Sequence, residues 1–588
     1  MPCLLSRFPT KNKDYDLFHL FPVSVVSASK TSYTPPMNIN LIACAIEDST
    51  LAFPMGALCI KAAVMTDPIL STQCDCELYT YILDDDPART AMDCVQRKPD
   101  IVGCSIYLWN RPWFDAFVQT LHEQSPTTVI FAGGTEVTAN GAAMWNDSYT
   151  FMVLGEGEET VVRSLRQLLQ RDSLQGPGII TKEIRHAVPA HPENLAALSS
   201  PFLCGAADLS GHPWQGVLWE MTRGCPFHCA FCFESKGERT VRSYPIDRIQ
   251  QELDYLVQHD VKNVFVLDPT FNMDKNRTVQ ILTLLANNAP QDMHFTFELR
   301  AELLDEELAD LFASIYCSLQ IGLQSAHKEI LGRINRRFAP EVFATKIGLL
   351  NERGIAFGLD LIIGLPGDTF ALFAKSIDYA ISLMPSNIDI FQLALLPGTR
   401  IAEQAETLGI QHQPTSPYLV TSTPTFPADD MEKALRLKQA CDLFYTKGQA
   451  CMWIHTACDG LDITPSNLLT VFGSWLDFQR KSGCNPDEAD IYMLQEEFLR
   501  VVYRKTGKQD LYPALRSYME LHQGICFLHD TCESPIVHLD YNPDDLAALD
   551  TMSLEKFVSK KKRLRGGVDL TIYQDDAGEL FFLPADEG

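Results

Sequence analysis

Three cysteines fall within eight residues, in the run Cys225-Pro-Phe-His-Cys229-Ala-Phe-Cys232, directly after the apolar stretch 217–221. Iron–sulfur clusters are held by cysteine thiolates, usually four of them. Three thiolates at this spacing therefore predict a cluster with one iron left open, which a small molecule would complete. Half of a zinc site is the alternative, but the next cysteine is Cys317, too distant to supply the usual partner pair. Buried, unreactive cysteines are a second alternative, and nothing would hold those to this spacing.

The composition is that of a globular protein with several domains. The chain has 588 residues, of which 46% are hydrophobic and 21% are charged, and its net charge is −27. That charge disfavours a nucleic-acid partner, because phosphate binding needs clustered Lys and Arg. The basic run 560–565 is interpreted as a solvated helix end. No apolar run is long enough for a membrane span, and a thiolate-bound cluster needs a reducing compartment, so a cytoplasmic location is predicted.

Residues 38–170 alternate between short apolar strands and helices, after a predicted N-terminal extension over 1–37. Strands are predicted at 39–46, 77–83, 101–107, 128–132 and 151–154. This alternation is typical of a doubly wound parallel sheet of the Rossmann-like type. Ligands of such sheets bind beyond the carboxyl ends of the strands. Glycines are concentrated at those ends, where the missing Cβ lets a ligand approach the backbone.

A proline-containing linker is predicted over 171–213, and six strand–helix units follow in 214–400. The predicted strands are 216–221, 264–267, 294–299, 318–321, 357–363 and 388–393. Six such units predict a partial (β/α)6 barrel of the TIM type. The chemistry of such barrels lies at the carboxyl ends of the strands.

Residues 401–588 are mostly helical by pattern, with helices predicted over 431–448 and 487–506 and a β-like tail from Ile536. We expect this C-terminal domain to cap the mouth of the barrel. Its cysteines are loosely spaced, which favours buried apolar side chains over an auxiliary cluster. They are Cys441, Cys451, Cys458, Cys484, Cys526 and Cys532.

The cysteine run, with an aromatic residue before its last cysteine, resembles the radical S-adenosylmethionine (SAM) superfamily. The resemblance implies a [4Fe-4S] cluster on the catalytic residues Cys225, Cys229 and Cys232, with SAM on the open iron and a 5′-deoxyadenosyl radical formed on reduction. It also implies SAM contacts at the ends of the barrel strands. Structural alternatives remain for two of them, a turn cap for Asp268 and a mutual salt bridge for Glu298 and Arg300. The implied contacts are Phe231, Asp268, Glu298, Arg300, Gln324, Ser325, Gly364, Pro366 and Gly367.

Three glycine-containing phrases, at 103–107, 133–136 and 155–158, resemble the cobalamin-binding domain that precedes many radical SAM domains. The DxHxxG motif of cobalamin mutases and methionine synthase, whose histidine ligates cobalt, is missing because 47–53 contain no histidine. A generic Rossmann-like domain whose glycines only make turns is the alternative. The cobalamin contacts that the resemblance implies are Ser105, Tyr107, Gly133, Gly134, Gly155, Glu156 and Gly157.

Taken together, residues 38–400 resemble a cobalamin-dependent radical SAM protein of the class B methyltransferase type. The resemblance implies methyl transfer to an unactivated carbon of a small-molecule or peptide substrate, with electrons from a donor such as flavodoxin or ferredoxin. Two alternatives stay open. One is a radical cyclisation or rearrangement without methyl transfer, and the other is a non-catalytic protein that binds cobalamin or SAM.

Overall fold

The computed structural model describes residues 36–49, 52–210, 216–234, 240–481, 490–575 and 578–585. Residues 1–35 of the predicted extension, Cys484 and residues 487–489 of a predicted helix lie outside these ranges. Residues 37–588 form the unit described below. Within the described part of the chain, no helix combines the length and apolar character needed to cross a bilayer.

The N-terminal region folds into one six-stranded sheet with helices on both faces. Its strands are β1 (Met37–Ala45), β2 (Cys74–Ile82), β3 (Ile101–Ser105), β4 (Val129–Gly133), β5 (Phe151–Val153) and β6 (Ile179–Ile180). They are ordered β2-β1-β3-β4-β5-β6 and are parallel except for β6, which lies in the segment predicted as a linker. The helices are α1 (Met55–Thr66), α2 (Leu70–Gln73), α3 (Pro87–Gln96), α4 (Arg111–Gln124), α5 (Thr135–Asn140) and α6 (Gly157–Gln170).

Side chains alternate across this sheet, so each strand supplies two apolar cores. Ile42 and Val102 pack in the core that contains α4, whereas Leu41 and Phe131 pack in the core that contains α6. Burial on both faces explains why the parallel strands are almost wholly apolar. The predicted doubly wound, Rossmann-type fold is therefore confirmed.

The central region forms a second parallel sheet, whose strands follow one another in space as they do in sequence. Its order is that of an open, partial (β/α)6 barrel, as predicted. The strands are β7 (Gly216–Trp219), β8 (Thr222–Arg223), β9 (Arg242–Ser243), β10 (Asn263–Val266), β11 (His294–Leu299), β12 (Cys317–Gln324), β13 (Ala356–Ile363) and β14 (Asn387–Gln392), with the barrel order β14-β13-β12-β11-β10-β7 and a separate antiparallel pair β8-β9. The helices are α7 (Ile246–Gln258), α8 (Lys275–Asn288), α9 (Glu306–Ala313), α10 (Lys328–Arg333), α11 (Pro340–Asn351) and α12 (Phe370–Ser382).

The C-terminal region is mostly helical and ends in a small antiparallel sheet, which confirms both predictions for it. The helices are α13 (Arg400–Glu403), α14 (Ala428–Cys441), α15 (Ile454–Leu461), α16 (Pro465–Lys481), α17 (Ile491–Lys505), α18 (Tyr512–Thr531), α19 (Pro543–Leu546) and α20 (Leu554–Lys560). The strands are β15 (Gln411–His412), β16 (Val420–Ser422), β17 (Ile536–Leu539), β18 (Val568–Gln574) and β19 (Leu580–Pro584), of which the last three form the terminal sheet.

The helix predicted over 431–448 changes geometry part-way. The α-helix ends at Cys441 and continues as a π-helical turn, Asp442–Lys447. Gln495 of α17 is fully buried, and its side-chain amide donates to the carbonyls of Phe444 at 2.7 Å and Gly448 at 2.9 Å. A Cβ on Gly448 would lie 2.0 Å from Gln495 Nε2, so only glycine lets the two approach. Gln495 thus satisfies carbonyls at the end of the π-helical turn.

We expect Gln495→Leu to destabilise the protein, because leucine would fill the space but leave the buried carbonyls of Phe444 and Gly448 without their side-chain donor. An unsatisfied buried polar group costs about 1–3 kcal/mol. The measurement is the thermal midpoint followed by circular dichroism. Gln170→Leu, at an exposed glutamine at the end of α6, is the matched control and should leave the midpoint unchanged. Equal midpoints for Gln495→Leu and the wild type would contradict this role.

Candidate active site

The cysteine run lies in the loop between β8 and β9 (the cluster loop), beyond the carboxyl end of β7. Its backbone is fixed by hydrogen bonds from Ala230 N to Ile334 O (2.9 Å), from Ile401 N to Ala230 O (3.0 Å) and from Cys232 N to Cys229 O (3.1 Å). The segments after α10 and at the start of α13 therefore hold the loop in place. All three cysteines of the motif line one cavity of about 1000 Å³.

The three thiols line the same cavity, and Cys225 and Cys229 lie near enough to Cys232 to influence its ionisation. Among the described residues, no three His, Cys, Asp or Glu side chains converge as ligands of a single metal ion would. A [4Fe-4S] cluster does not need that convergence, because each thiolate binds a different iron. Burial raises the pKa of the Cys232 thiol to about 11, so metal binding there must displace a proton. Three thiols around one cavity fit a cubane cluster with one iron lacking a protein ligand.

Four of the predicted SAM contacts, Phe231, Glu298, Arg300 and Gln324, line the same cavity. The Arg300 guanidinium lies 3.8 Å from the centre of the Phe227 ring and pairs with Glu302 at 2.5 Å. The predicted alternative, a mutual salt bridge between Glu298 and Arg300, is therefore not formed. Glu298 is open to the cavity, and desolvation, with the carboxylates of Asp360 and Glu234 nearby, raises its pKa to about 7.

Asp268 and Ser325 do not line the cavity. Asp268 is buried, and its Oδ1 accepts hydrogen bonds from the backbone N–H groups of Met221 at 2.8 Å and Thr222 at 2.9 Å. Ser325 is also buried, and its Oγ accepts from the N–H of His327 at 3.2 Å. The bonds made by Asp268 join the end of β10 to the start of the cluster loop, which favours a structural role for it.

The predicted adenine-binding loop, with Gly364, Pro366 and Gly367, follows β13 and also lies outside the cavity wall. Gly364 has φ +86° and Gly367 has φ +83°, the left-handed region that favours glycine. A Cβ on Gly367 would lie 2.7 Å from the Arg333 guanidinium. These glycines are therefore required by the local backbone and packing, whatever else the loop contacts.

Arg336 is a candidate that the sequence analysis missed. It lines the cavity and donates to the carbonyl of Gly322, and within the described residues no carboxylate pairs with it. A Cβ on Gly322 would lie 2.3 Å from Gln324 Nε2 and 3.3 Å from the Arg336 guanidinium, so glycine makes room for both. A guanidinium with free N–H groups suits a carboxylate ligand. The available signal in the sequence was the Arg336-Arg337 pair, which follows α10.

The backbone at Gln324 is strained. Its φ is +67°, and the register of β12 against β13 shifts between Gly322 and Gln324. A non-glycine residue in the left-handed region costs about 1–3 kcal/mol and is enriched at active sites. Here the shift occurs where the side chain of Gln324 enters the cavity.

The barrel wall of the cavity is polar and internally hydrogen bonded. The Gln320 amide donates to Asp360 at 2.5 Å and to Asp389 at 2.8 Å, and Asn387 donates to Asp389 at 2.8 Å. A Cβ on Gly358 would lie 2.4 Å from Gln320 Oε1 and 2.5 Å from Asn387 Nδ2, so this network requires glycine there. The sequence signal for it was polar residues at alternate positions of otherwise apolar strands.

An ionic cluster joins the N-terminal sheet to the cluster loop. Arg223, two residues before the first motif cysteine, pairs with Glu156 at 2.6 Å, Glu158 at 2.7 Å and Glu220 at 2.8 Å. Glu156 also accepts from Arg242 at 3.2 Å and bonds His191 at 3.0 Å. The predicted cobalamin contact Glu156 is thus engaged with three basic side chains.

The other predicted cobalamin contacts divide into two groups. A Cβ on Gly134 would lie 2.3 Å from Ile106 O, one on Gly155 would lie 2.2 Å from Ala190 O, and one on Gly157 would lie 2.8 Å from Ile60 Cδ1, so all three face protein. Gly133 is open, because a Cβ there would meet only Val153 Cβ at 3.8 Å. Ser105 and Tyr107 lie at the carboxyl end of β3, and the Tyr107 ring stacks on Trp109 with centroids 4.6 Å apart.

Large apolar side chains are exposed at this edge of the sheet. Ile46, after β1, is 61% exposed, and Trp109, after β3, is 45% exposed. Leu108 lines the same cavity as the motif cysteines. The carboxyl edge of the sheet is where a doubly wound fold binds its ligand. The apolar side chains of Ile46, Leu108 and Trp109 at this edge fit the corrin macrocycle of cobalamin.

A second buried contact fixes the sheet against the segment that follows the barrel. Arg111 donates to Glu136 at 2.7 Å and to the Tyr418 hydroxyl at 2.7 Å, and that hydroxyl donates to Glu136 at 2.6 Å. Ser416 Oγ donates to the carbonyl of Leu108. The loop that contains Leu108 and Trp109 is therefore positioned by both the sheet and the C-terminal region.

The sequence profile described as the radical SAM superfamily matches residues 219–380. The chain contains a radical SAM domain. The matched residues begin on β7 and end on α12, and they include the three motif cysteines.

Curated relatives resemble a larger part of the chain. This chain is 26% identical over 451 residues to a 2-(S-pantetheinyl)-carbapenam-3-carboxylate methyltransferase of Streptantibioticus cattleyicolor. The aligned region covers 69% of this chain and 63% of that protein. The chain is 25% identical over 408 residues to the cobalamin-dependent radical SAM methyltransferase TokK of Streptomyces tokunonensis, which covers 61% of this chain and 57% of that protein. The match thus spans about three-fifths of these relatives.

Solved structures share the fold. The radical SAM methyltransferase TsrM from Kitasatospora setae, solved with cobalamin and a [4Fe-4S] cluster, matches 67% of this chain and 81% of its own with a TM-score of 0.53 and 18% identity. The cobalamin-dependent SAM radical enzyme OxsB matches 90% of this chain and 84% of its own with a TM-score of 0.55 and 12% identity. The fold of this chain is therefore similar to that of both proteins.

The contact of the radical SAM domain with the N-terminal sheet should weaken in acid. Burial opposes ionisation of Glu156, but its bonds with Arg242, Arg223 and His191 outweigh burial and lower its pKa. A lowered folded-state pKa adds stability that is complete above the unfolded value of about 4.3 and is lost as the pH falls through the folded value. We expect Glu156→Gln to lower the thermal midpoint at pH 7, with a deficit that shrinks below about pH 4.

The control is Glu159→Gln, at an exposed position on α6 three residues away. Its thermal midpoint should follow that of the wild type at every pH. A deficit for Glu156→Gln that stays constant as the pH falls from 7 to well below about 4 would show that the ionised carboxylate of Glu156 is not what joins the two parts.

Proposed function

We propose that the chain is a cobalamin-dependent radical SAM enzyme that methylates an unactivated carbon of a small-molecule or peptide substrate. The observation that carries the proposal is that Cys225, Cys229 and Cys232 share one cavity with Arg336 and Glu298 at the carboxyl end of the barrel. The relatives named as methyltransferases and the apolar edge of the N-terminal sheet support it.

The motif cysteines would hold a [4Fe-4S] cluster. When bound, the reduced cluster and SAM supply the one-electron chemistry that activates an inert C–H bond. The protein's part is to bind, orient and exclude water. Arg336 offers unpaired N–H donors for the SAM carboxylate, and Glu298 offers an acceptor for its ammonium or ribose hydroxyl groups. Gln324 would fix the orientation between them.

Cobalamin, when bound, would supply the methyl group. Ile46, Leu108 and Trp109 would contact its corrin ring, and the open backbone at Gly133 would let the ring approach β4. The segment 46–53, after β1, contains no histidine, so this part of the chain provides no imidazole ligand for cobalt. The cluster would be reduced by a donor such as flavodoxin or ferredoxin. Part of the cluster loop is accessible to such a donor, since His228 is exposed.

The first test is metal content after anaerobic purification with cobalamin supplied. We expect about four irons and one cobalt per chain. The variant Cys225→Ala/Cys229→Ala/Cys232→Ala should lose the iron and keep the cobalt, whereas Cys532→Ala, at an exposed cysteine, should keep both. Iron without cobalt in the wild type would refute methyl transfer through cobalamin.

SAM binding tests the role of Arg336. Replacing a charged donor to a carboxylate costs about 1.5–3 kcal/mol, so Arg336→Gln should weaken SAM binding about tenfold or more in the reconstituted protein. Arg337→Gln, at the exposed neighbouring arginine, is the matched control and should bind SAM like the wild type. Isothermal titration of both variants is the measurement, and equal affinities would exclude Arg336 from the SAM site.

The reaction type can be tested with SAM labelled on its methyl group. Methyl transfer predicts S-adenosylhomocysteine, 5′-deoxyadenosine and a product that contains the label. Formation of 5′-deoxyadenosine with an unlabelled, rearranged product would replace the methyltransferase proposal with a radical rearrangement. Mass spectrometry of the anaerobic reaction distinguishes the two.

A further inference from the structure

The two walls of the active-site cavity differ in charge. The barrel and the cluster loop supply four carboxylates and two cations, which are Glu234, Glu298, Asp360, Asp389, Arg300 and Arg336. The opposite wall comes from the C-terminal helices and contains three cations and one carboxylate, which are Lys438, Lys447, Arg480 and Asp442. A net positive wall departs from the background of a chain whose net charge is −27. The cavity therefore has an acidic side and a basic side.

The π-helical turn Asp442–Lys447 creates the basic wall. In an α-helix, side chains five residues apart point about 140° apart around the axis. The wider π-helical turn, with its i→i+5 bonds, brings such residues towards the same face. Both Asp442 and Lys447 line the cavity, together with Leu443 and Thr446. The departure from α-helical geometry thus adds Lys447 to the cavity.

This wall is held rigidly against the barrel. Thr446 Oγ1 accepts a hydrogen bond from the N–H of Ile388 on β14 at 3.2 Å, and the Tyr445 hydroxyl donates to Pro385 O at 2.6 Å. Gln495 supports the turn from the other side. The protein maintains a rare and costly helical geometry at the cavity and nowhere else among its described helices. Such turns are found mostly at functional sites.

The cations on this wall are not equally available. Lys438 pairs with Asp442 at 2.5 Å, and Arg480 lies 3.6 Å from Asp477. Within the described part of the chain, Lys447 has no ion pair or hydrogen bond from its ammonium group. Lys447 is therefore the cation that a ligand can engage without breaking an internal ion pair.

Apolar side chains line the same cavity. Phe391 of β14 lines the cavity and is 55% exposed, which is unusual for a phenylalanine inside a protein. Leu396, Leu419 and Leu443 line the cavity as well. A ligand that fills this region needs an apolar body.

We propose that the substrate is an amphiphilic anion, whose carboxylate, sulfonate or phosphate group is held by Lys447 with Lys438 and Arg480 nearby. The inference rests on the proposed function, since it takes this cavity as the active site. On the barrel side, Arg300 is paired with Glu302 and Arg336 is assigned to the SAM carboxylate, and the carboxylates there repel a further anion. The anionic end of the substrate is therefore placed at the helical wall. The apolar body then lies against Phe391 and extends towards the motif cysteines.

The test uses two fluorescent probes of similar shape that differ in charge, on the anaerobically reconstituted protein. The anionic probe is 8-anilinonaphthalene-1-sulfonate, and the neutral probe is N-phenyl-1-naphthylamine. We expect Lys447→Gln to weaken binding of the sulfonate probe about tenfold, because one charge-assisted contact is lost. The affinity for the neutral probe should stay unchanged. Lys447→Arg should retain sulfonate binding.

Two further variants locate the effect. Leu443→Trp narrows the cavity and should weaken the binding of both probes. That result would show that both probes bind in this cavity. Lys433→Gln, at an exposed lysine of α14 outside the cavity, removes the same charge and should change neither affinity.

Equal sulfonate affinity in the wild type and in a Lys438→Gln/Lys447→Gln/Arg480→Gln variant would overturn the inference, as would equal losses for both probes in Lys447→Gln. Iron content and SAM binding are measured on the same preparations. If the iron content and SAM affinity are normal but the three cations do not affect sulfonate binding, only the inference about the substrate is overturned. A wild-type protein without iron or SAM binding overturns the proposed function itself.

Discussion

The arrangement of the two α/β parts depends on one buried guanidinium. Arg223 is placed among Glu156, Glu158 and Glu220, which come from the N-terminal sheet and from the barrel. Burial disfavours its charge, but the carboxylates of Glu158 and Glu220 more than compensate and raise its pKa above the ordinary arginine value. Removing one partner of a buried ion pair leaves uncompensated charge, which is strongly destabilising. Because Arg223 precedes Cys225 by two residues, the same contact that joins the parts also positions the cluster loop.

The barrel is built to leave a polar cavity open at its centre. Outward-facing residues of β13, such as Leu359 and Leu361, are fully buried against helices, whereas Asp360 between them faces the cavity. Interior polar groups are stable only when they are hydrogen bonded. Gln320 meets that need by joining the carboxylates of Asp360 and Asp389, across a gap that Gly358 leaves. The strand sequence thus encodes a packed exterior and a solvated interior at once.

Local strain is concentrated around this cavity. Gln324 adopts a left-handed backbone at a register shift, and the π-helical turn replaces the end of an α-helix on the opposite wall. Each departs from the lowest-energy local geometry, and each is held by specific neighbours, Arg336 in the first case and Gln495 in the second. Strain of this kind persists only where the surrounding structure determines it. Both departures place side chains in the cavity.

Sequence patterns alone predicted the cluster motif, the order of the α/β elements and the mostly helical C-terminal region. Cysteine spacing and the alternation of apolar strands with helices are local signals, which one chain displays without tertiary information. The resemblance to radical SAM proteins also indicated Glu298, Arg300 and Gln324, which lie at the carboxyl ends of barrel strands. The extra SAM candidate Arg336, the ion pairs of Glu156 and the buried bonds of Asp268 were decided by the tertiary structure. Each of these depends on which distant residue lies within hydrogen-bonding distance, and periodicity contains no information about that. The π-helical turn is the clearest case, because the sequence of 431–448 is compatible with one continuous α-helix. The wider turn is instead held by contacts of Tyr445, Thr446 and Gln495 with remote segments.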